Sequence, residues 1–526
     1  MKRLLFILLL SFSFVYTQNI INGSPYSFTD SKLQTIKFIE MPEVDLDKLL
    51  IEDKNVAPGT PFRYGKIFYV DYNLNNSGTW EVLDDGSRLW RLEIHSKGAF
   101  SIGIEYDYFH LPKGARFYIY NPSQENVFGA YSSLNNQQDY RFATPLVKGD
   151  NIILEYFEPH DIDFQGRINI SQIIHDYKDA LGFFNEDDNP NRSCGTNVVC
   201  PEADPYEDLI NAASWLDMGG SICSGSMLNN QRMDLEPYYI TAWHCTDGDN
   251  PSTFRFYFEY EASSCNDDWA SAGPYAYGSL LLSASNGMDP DYSLLKISGD
   301  ILDSWDVFYA GWDRSYNYPV ISCGIHHPGG APKKINIDDD TAYTASWNNG
   351  PPSTHWRVFW DSGGTEGGSS GSPLYDENFR FRGQLSGGPT DFDCEEDGNY
   401  SLYGRFDRAW EDVKQWLDPE NTGAMFIDGT YDGTEEIQGC TDPFALNYDQ
   451  DAIVDDGTCE YPSLGDINND AQYNVIDIVL LINYLLDDIY IIYGDLNQDG
   501  IINILDIVIL INLILDREVP ATEEIY

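Results

Sequence analysis

Hydrophobic and polar positions alternate with a period of two residues along much of the first third of the chain. Leu89–Ile94, Ala99–Tyr106 and Asn151–Tyr156 follow this pattern, and residues such as Gly, Pro and Asn separate them. This alternation is typical of strands that bury one face. We therefore predict an antiparallel β-sandwich within residues 19–192.

The middle of the chain also consists of short apolar runs separated by loops. Phe254–Tyr260, Tyr292–Ile297 and Trp356–Phe359 are predicted strands, whereas Trp410–Leu417 has the pattern of a closing helix. The protein is therefore expected to be mainly β.

The last part of the chain changes to helical patterns. Two acidic loops 29 residues apart are each followed by an apolar stretch, Ile478–Leu486 and Ile507–Leu515, which we predict to be helices. A linker with Cys440 and Cys459, which we expect to form one small disulfide loop, precedes them.

The N terminus has the features of a signal peptide. Lys2 and Arg3 precede the apolar run Leu4–Leu10, and small or polar residues follow up to about Gln18. The remaining sequence has no apolar run of about 18 residues, the length of a membrane span. We expect an exported protein without a transmembrane anchor.

Charge and cysteine content narrow the function. The net charge of −53 disfavours nucleic acid and anionic membranes as partners, but it is compatible with calcium and with basic substrates. Nine cysteines in an exported chain predict disulfides and one thiol left over. None precedes Cys194, so we place a domain boundary in the polar linker Asn185–Arg192.

The glycine-rich run Thr365–Pro373 contains the first candidate for chemistry. Its small residues favour a tight turn that exposes Ser370, with the amides of Gly368 and Ser370 available to stabilise an oxyanion. Alone, such a run is more often a flexible surface loop. A serine nucleophile also needs a base and an orienting acid.

Upstream segments supply both groups. His244 is the candidate base and Asp291 the candidate acid, with Asp289 as its rival. The order His, Asp, Ser is that of the chymotrypsin fold, and with the many short strands it predicts a double six-stranded β-barrel. A secreted esterase is disfavoured, because Ser372 stands where the hydrolase elbow requires glycine.

The acidic repeats have the spacing of calcium loops. Oxygen ligands at positions 1, 3, 5, 9 and 12, with a backbone carbonyl at position 7, can surround a hard cation. The candidate ligands are Asp466, Asn468, Asp470, Gln472, Asn474 and Asp477 in the first loop, and Asp495, Asn497, Asp499, Ile501, Asn503 and Asp506 in the second. Two metal-free acidic turns are the alternative.

The central region resembles the bacterial lysyl endopeptidases, a branch of the chymotrypsin-like serine proteases. The matching motifs are Val198–Glu202, Thr241–Cys245, Ala310–Arg314, Ile325–Pro328, Thr365–Leu374, Gly383–Pro389, Tyr403–Arg405 and Trp416–Pro419. The resemblance implies a serine endopeptidase with His244, Asp291 and Ser370 as its triad. It also implies disulfides Cys194–Cys394, Cys200–Cys265 and Cys223–Cys245, which leaves Cys323 as the free thiol.

Two positions depart from that family. Ser401 replaces the aspartate that meets the substrate lysine, and Ser386 replaces a histidine near the active site. Glu366 remains as a possible acidic wall of the specificity pocket, so we predict cleavage after Lys or Arg with an altered pocket. Ser369 stands where trypsin has the aspartate that pairs with a new N terminus, so removal of the N-terminal domain is the expected switch.

The C-terminal repeats resemble a type I dockerin, which has Asp at loop position 12. This resemblance implies structural Ca²⁺ and docking onto a cohesin-like or cell-surface partner. The predicted domains are a signal peptide (1–18), a β-rich propeptide (19–192), a trypsin-like protease domain (193–430), a linker with a small disulfide module (431–462) and dockerin-like repeats (463–518).

Two alternatives remain open at this point. The N-terminal sandwich is an inhibitory or folding-assisting propeptide, or else a substrate-binding domain that stays attached. The whole chain is a secreted endopeptidase, or else a non-catalytic surface or adhesion protein that retains a protease scaffold.

Overall fold

A computed structural model describes residues 23–29, 33–57, 59–184, 195–266, 270–347, 350–389 and 400–433, and, towards the C terminus, 438–440, 445–448, 454–455, 457–461, 463–470, 472–486 and 489–517. The chain separates into two compact units, Met1–Gly433 and Thr434–Tyr526. The predicted signal peptide, the Asn185–Arg192 linker and the predicted Cys194–Cys394 pair lie outside the described residues. Within the described ranges, every helix is too short or too polar to cross a membrane.

The first part of unit one is a two-sheet sandwich, as the period-two pattern predicts. Its elements are β1 (Phe38–Glu40), α1 (Leu46–Asp53), β2 (Phe62–Arg63), β3 (Gly65–Asn73), β4 (Thr79–Val82), β5 (Arg88–His95), β6 (Ser101–His110), β7 (Arg116–Tyr120), β8 (Val127–Tyr131), β9 (Phe142–Lys148), β10 (Asn151–Glu158) and β11 (Arg167–Asp176). One sheet has the order β1-β5-β10-β7-β8 with β4 beside β5, and the other has the order β3-β11-β6-β9. Leu92 and Leu154 from the first sheet and Ile104 and Ile173 from the second are fully buried in one apolar cluster.

The second part of unit one contains two further sheets. Its elements are β12 (Thr196–Asn197), α2 (Glu207–Ala212), β13 (Ala213–Asp217), β14 (Ser221–Leu228), β15 (Tyr238–Thr241), α3 (Trp243–Thr246), β16 (Arg255–Tyr257), β17 (Tyr275–Tyr277), β18 (Ser279–Ala284), β19 (Ser293–Ile297), β20 (Trp312–Asp313), β21 (Ser322–His326), β22 (Lys334–Asp338), β23 (Tyr343–Ala345), β24 (His355–Phe359), β25 (Pro373–Tyr375), β26 (Phe381–Gly387), β27 (Tyr400–Arg405), α4 (Phe406–Leu417) and β28 (Phe426–Ile427).

The strand order of these sheets gives the architecture. The first sheet runs β17-β16-β13-β14-β15-β19-β18, with β2 beside β14. The second runs β12-β22-β21-β25-β26-β27-β24-β23, with β20 beside β26 and β28 beside β20. Each sheet has more than six strands because short segments extend it, β2 in the first sheet and β12, β20 and β28 in the second. The closing helix α4 begins at Phe406, earlier than predicted, because Phe406 and Trp410 both pack on Trp312, with ring centroids 5.8 and 4.7 Å away.

The sandwich packs directly on the first of these sheets. Residues of both, including Trp215 and Tyr257, belong to one continuous apolar cluster. The hydroxyls of Tyr131 and Tyr275 lie 3.0 Å apart. The strand β2 pairs antiparallel with β14, although in the chain it lies between the sandwich strands β1 and β3. The N-terminal sandwich and the first sheet therefore share a core.

The second unit contains the pair β29 (Gln438–Gly439) and β30 (Val454–Asp455), the predicted Cys440–Cys459 disulfide, and the helices α5 (Val475–Leu486) and α6 (Ile504–Arg517). Each helix starts three residues before its predicted start. The reason is local: the side chains of Asn474 and Asn503 accept hydrogen bonds of 2.8 Å from the N–H groups of Ile476 and Leu505, so each asparagine caps its helix.

Candidate active site

The candidate base and acid lie together on the first sheet of the protease part. Helix α3 follows β15 and carries His244, whose Nδ1 lies 2.9 Å from Asp291 Oδ2. The His244 backbone N–H donates to the other carboxylate oxygen at 3.1 Å. Because a carboxylate only accepts, Nδ1 carries the proton and Nε2 is left as the basic nitrogen.

Several contacts fix the positions of these two residues. The Cys223–Cys245 disulfide joins β14 to α3 next to His244. The loop before β19 carries Asp291, and we call it the acid loop. Gln384 Nε2 on β26 donates to the carbonyl oxygens of Pro290 and Asp291 at 2.8 and 3.2 Å, and thus anchors the acid loop on the second sheet. Gly404 is required here, since a Cβ at this position would overlap Pro290 O.

Ser370 lies in the glycine-rich turn Thr365–Pro373, which we call the nucleophile turn. In the middle of this turn, backbone N–H groups that donate hydrogen bonds alternate with N–H groups that do not. The N–H groups of Ser369 and Gly371 donate to Glu366 O and Leu385 O at 3.1 and 2.8 Å. Among the described residues, the N–H groups of Gly368 and Ser370 have no hydrogen-bond acceptor. These two amides are available to an oxyanion.

The glycines of this turn have no room for a side chain. Gly368 and Gly371 have φ values of 94° and 79°, which L-residues rarely adopt. A Cβ at Gly368 would lie 2.7 Å from His327 O, and one at Gly371 would collide with Thr241 on the first sheet. The turn is therefore pressed against β15, the strand that leads into His244.

Ser370 lies where the two sheets meet. Its carbonyl accepts a 2.8 Å hydrogen bond from the N–H of Ser224, which neighbours Cys223 and hence the disulfide beside His244. Ser370 is 8% exposed, and His244 Nε2 is buried without a hydrogen-bond partner among the described residues. The structure thus gathers the three residues at one junction, while the Ser–His hydrogen bond is not formed in the intact chain.

The side chain of Ser369 is held in place by His326. The Ser369 hydroxyl lies 2.7 Å from His326 Nδ1 and accepts from the Glu366 N–H at 3.1 Å. Burial lowers the pKa of His326 to about 4, although the hydrogen bond with Asn336 raises it. His326 is therefore neutral at physiological pH, and the turn needs no charged partner beneath it.

Within the described residues, Ser401 and Ser386 form hydrogen bonds with neutral side chains. Ser401 Oγ accepts from Trp360 Nε1 at 2.9 Å and lies 2.8 Å from Thr365 Oγ1. Ser386 Oγ lies 3.0 Å from His355 Nε2, and burial lowers the pKa of His355 to about 4. Glu366 opens the nucleophile turn and is partly buried.

The rival acid Asp289 is engaged elsewhere. Its carboxylate accepts a hydrogen bond of 2.8 Å from Thr354 Oγ1 and lies 3.8 Å from His355 Nδ1. Cys323 is buried, and burial raises the pKa of its thiol, so the thiol stays protonated. The predicted disulfides Cys200–Cys265 and Cys223–Cys245 are present.

Three residues that support the site were not predicted from the sequence: Ser224, His326 and Gln384. Ser224 Oγ donates to Gly368 O at 2.9 Å and accepts from the His327 N–H at 3.0 Å. His326 and Gln384 lie inside the family motifs, but a motif does not tell which of its residues contacts the catalytic loops. Only the pairing of distant strands reveals these roles.

The two C-terminal loops repeat one hydrogen-bonding scheme. Asp477 and Asp506 accept from the N–H groups of Asn474 and Asn503 at 2.8 and 2.9 Å, and Asp466 and Asp495 accept from the amides of Asp470 and Asp499 at 3.1 Å. The side chains of each loop also lie close together. Asn468 donates to Asp470 at 3.0 Å, and Asn497 donates to Asp499 at 2.9 Å.

The charge balance of these loops fits a metal cation. Asp477, Asp495 and Asp506 are nearly or fully buried, and Arg517 is the one basic residue in the sequence from 434 onward. Burial of several carboxylates in one small module is costly unless a cation balances their charge. An all-oxygen donor set of this kind suits Ca²⁺.

Two β-sheets with a His–Asp pair on the first and a glycine-lined serine turn on the second fit the chymotrypsin-like fold of serine proteases. Residues 71–176 match the lysyl endopeptidase N-terminal domain, residues 189–404 the lysyl endopeptidase C-terminal domain, and residues 464–515 the dockerin type I domain. The chain therefore carries both domains of the lysyl endopeptidase family, followed by a type I dockerin domain.

Individual proteins are also similar to this chain, at low identity. A lysyl endopeptidase of Pseudomonas aeruginosa is 24% identical over 398 residues, covering 69% of this chain and 82% of that protein. Among solved structures, the thermostable serine protease AL20 from an extremophilic microorganism is 14% identical, with a TM-score of 0.30, over 39% of this chain and 96% of its own. The HtrA-type protease AlgW is 15% identical, with a TM-score of 0.29, over 41% and 64%.

Proposed function

We propose that the protein is an exported serine endopeptidase that hydrolyses peptide bonds through Ser370, His244 and Asp291. The 2.9 Å hydrogen bond between His244 Nδ1 and Asp291 Oδ2 carries this proposal, because it fixes the tautomer that leaves Nε2 basic. The free amides of Gly368 and Ser370 support it as the oxyanion hole.

Each residue has one role in the reaction. Ser370 Oγ attacks the substrate carbonyl, and His244 Nε2 takes its proton and returns it to the leaving amine. Asp291 stabilises the imidazolium, while the two amides stabilise the charge on the tetrahedral oxygen. Water then releases the acyl group by the same steps, so substrate and product differ by one hydrolysed bond.

Replacing the nucleophile tests this proposal. Ser370→Ala should lower peptide hydrolysis by at least about 10³-fold. The thermal unfolding midpoint should not change, because the Ser370 hydroxyl has no hydrogen bond within the described part of the chain. Ser252→Ala, whose hydroxyl bonds the neighbouring Asn250, is the matched control and should keep its activity. Undiminished hydrolysis by Ser370→Ala would rule out this mechanism.

The preferred bond is the one after Lys or Arg, in a pocket less acidic than that of other family members. Ser401 lies at the position of the family's aspartate, so Glu366 is the remaining candidate to attract a basic side chain. The N-terminal sandwich acts as a propeptide, and its departure is the activating step. The continuous apolar core that it shares with the first sheet supports this role.

The C-terminal module binds two Ca²⁺ ions and attaches the enzyme to a cohesin-like or cell-surface partner outside the cell. The buried aspartates of the two loops support the calcium sites. Exposed apolar side chains at the starts of both helices, such as Val475, Ile476, Ile504 and Leu505, support docking onto a protein.

A further inference from the structure

A short segment of the N-terminal part, Gly59–Arg63, extends along the candidate active site. At its C-terminal end β2 pairs antiparallel with β14, with Phe62 opposite Ile222 and Arg63 opposite Ser221. Ile222 precedes Cys223, whose disulfide reaches Cys245 beside His244. We call Gly59–Arg63 the strap.

The Phe62 ring packs on the glycine that precedes the two oxyanion amides. A Cβ placed on Gly367 would lie 3.1 Å from Phe62 Cδ2, and one on Gly330 would lie 3.7 Å from Phe62 Cε1. Gly367 immediately precedes Gly368, whose N–H is one of the two free amides. Ile222, Gly330 and Gly367 therefore form a shallow apolar seat for the ring.

The other end of the strap rests against the acid loop. A Cβ on Gly59 would lie 3.1 Å from Met288 Cε and 4.0 Å from Trp347 Cζ2. Met288 is three residues before Asp291, and the Trp347 ring centroid is 6.0 Å from that of His355. Thr60 and Pro61 thus connect the acid loop to the nucleophile turn, across three peptide units that can reach at most about 10 Å.

The sandwich part holds the strap in place through charge pairs. Arg63 Nε donates to Asp53 on α1 at 2.8 Å, and Lys178 Nζ lies 2.7 Å from the same carboxylate. Lys178 Nζ also lies 4.2 Å from the centroid of the Phe62 ring, a cation–π contact. The strap is therefore fastened to the domain that is expected to leave.

We propose that the seat of Ile222, Gly330 and Gly367 is a substrate subsite for an aromatic side chain, and that Phe62 occupies it in the intact chain and closes the cleft. This inference rests on the proposed function. A peptide that runs in the direction of the strap has its leaving-group side at Ile222, so the aromatic residue follows the scissile bond. The buried, unpartnered Nε2 of His244 is consistent with a closed cleft.

The rate at which a fluorophosphonate labels Ser370 in the intact chain tests the closure. Phe62→Ala should label at least tenfold faster than the wild type, and Phe62→Tyr should stay close to the wild type. The exposed Tyr69 on β3 provides the matched control, and Tyr69→Ala should leave the rate unchanged. Mass spectrometry confirms that each chain is intact when it is labelled.

Two peptides test the subsite itself on the Phe62→Ala chain. Acetyl-Gly-Thr-Pro-Phe-Arg-amide should slow its labelling, whereas the same peptide with Ala in place of Phe should not. Equal labelling of wild type and Phe62→Ala, or equal effects of the two peptides, would overturn the proposal.

Hydrogen exchange separates a failure of the strap from a failure of the proposed function. The amides of Ser221 and Ile222 should exchange faster in Phe62→Ala, whether or not Ser370 is reactive. If the exchange is faster but no chain is labelled, Ser370 is not the nucleophile, whereas the contact between the strap and β14 is supported. Unchanged exchange in a folded Phe62→Ala chain would reject the strap.

Discussion

At the scale of single residues, the nucleophile turn is built from neutral hydrogen bonds. Ser369 accepts from the Glu366 N–H and bonds His326, and Ser224 joins Gly368 O to the His327 N–H. Since no charge is needed beneath the turn, its shape does not depend on the appearance of a new N terminus. We therefore expect that removal of the covering N-terminal segment is sufficient for the proposed activation.

The contact between His326 and Ser369 positions the oxyanion amides. His326→Ala should lower kcat for peptide hydrolysis by about tenfold or more, because a buried hydrogen bond of about 1–3 kcal/mol is lost. KM should change little, since His326 does not reach the substrate. His326→Asn, which retains a hydrogen-bonding group, should recover part of kcat. A rise in KM at constant kcat would contradict this positioning role.

We expect Ser401 to set the charge of the proposed specificity pocket. Ser401→Asp should raise kcat/KM for lysine substrates relative to uncharged ones by at least about tenfold, because a pocket carboxylate gains a charge pair with the ammonium group. The same change should lower the thermal unfolding midpoint, since Ser401 is buried and an unpaired carboxylate is costly there. Ser401→Asn controls for size, and a preference unchanged in Ser401→Asp would remove Ser401 from the pocket.

At the scale of elements, each C-terminal loop and its helix form one unit. The last loop aspartate, Asp477 or Asp506, lies in the first turn of α5 or α6 and bonds back to its loop. Loop and helix are therefore ordered together, and a cation that binds the loop also stabilises the helix start.

Calorimetric titration of the full chain with Ca²⁺ checks the two sites. We expect two equivalents to bind to the wild type and one to each of Asp477→Ala and Asp506→Ala, because each variant loses a ligand of one loop. Chelation should lower the helical circular dichroism signal of the wild type. Asp163→Ala, an acidic residue outside these loops, should still bind two equivalents.

The sequence patterns predict the long elements better than the contacts between them. Alternation identifies the sandwich strands and helical period identifies α5 and α6, because both depend on local burial. The two-residue strand β2 has no such signal, since its pairing with β14 depends on a partner far along the chain. The same reason explains why the motif containing Gln384 does not predict the bond from Gln384 to the acid loop.

At the scale of the whole first unit, a charged cluster is buried between the sandwich and the protease part. Glu105 on β6 lies 3.6 Å from Arg255 Nη1, and Arg255 Nε donates to Asp217 at 2.7 Å. Tyr64 donates to Asp217 at 2.8 Å. Burial raises the pKa of Glu105 to about 7; Arg255 and Thr253 lower it, and Asp217 and Asp249 add to the rise.

This raised pKa makes the fit between the two parts depend on pH. A carboxyl group whose pKa rises on folding contributes stability below its ordinary pKa of 4.5, and that stability is lost as pH rises through about 7. The shift corresponds to roughly 3 kcal/mol. Urea unfolding of the Ser370→Ala chain between pH 5 and 8 should therefore show falling stability.

Glu105→Gln provides the comparison for this pH dependence. The glutamine cannot ionise, so its chain should lose stability less steeply over the same pH range. Burial also raises the pKa of Asp176 to about 7. Asp176 therefore accounts for the pH dependence of stability that both chains still show. Parallel pH profiles for the two chains would exclude Glu105 as the titrating group.

The core shared by the sandwich and the first sheet has a consequence for the proposed proteolytic processing. Trp215, Tyr257 and Tyr275 are covered by the sandwich, and a nick in the linker leaves this aromatic contact intact. After cleavage, the sandwich should therefore remain bound non-covalently to the protease part until it is degraded. Without the sandwich, these aromatic side chains would form an exposed apolar surface on the protease part. The solubility of the mature form would then depend on which other surface covers them.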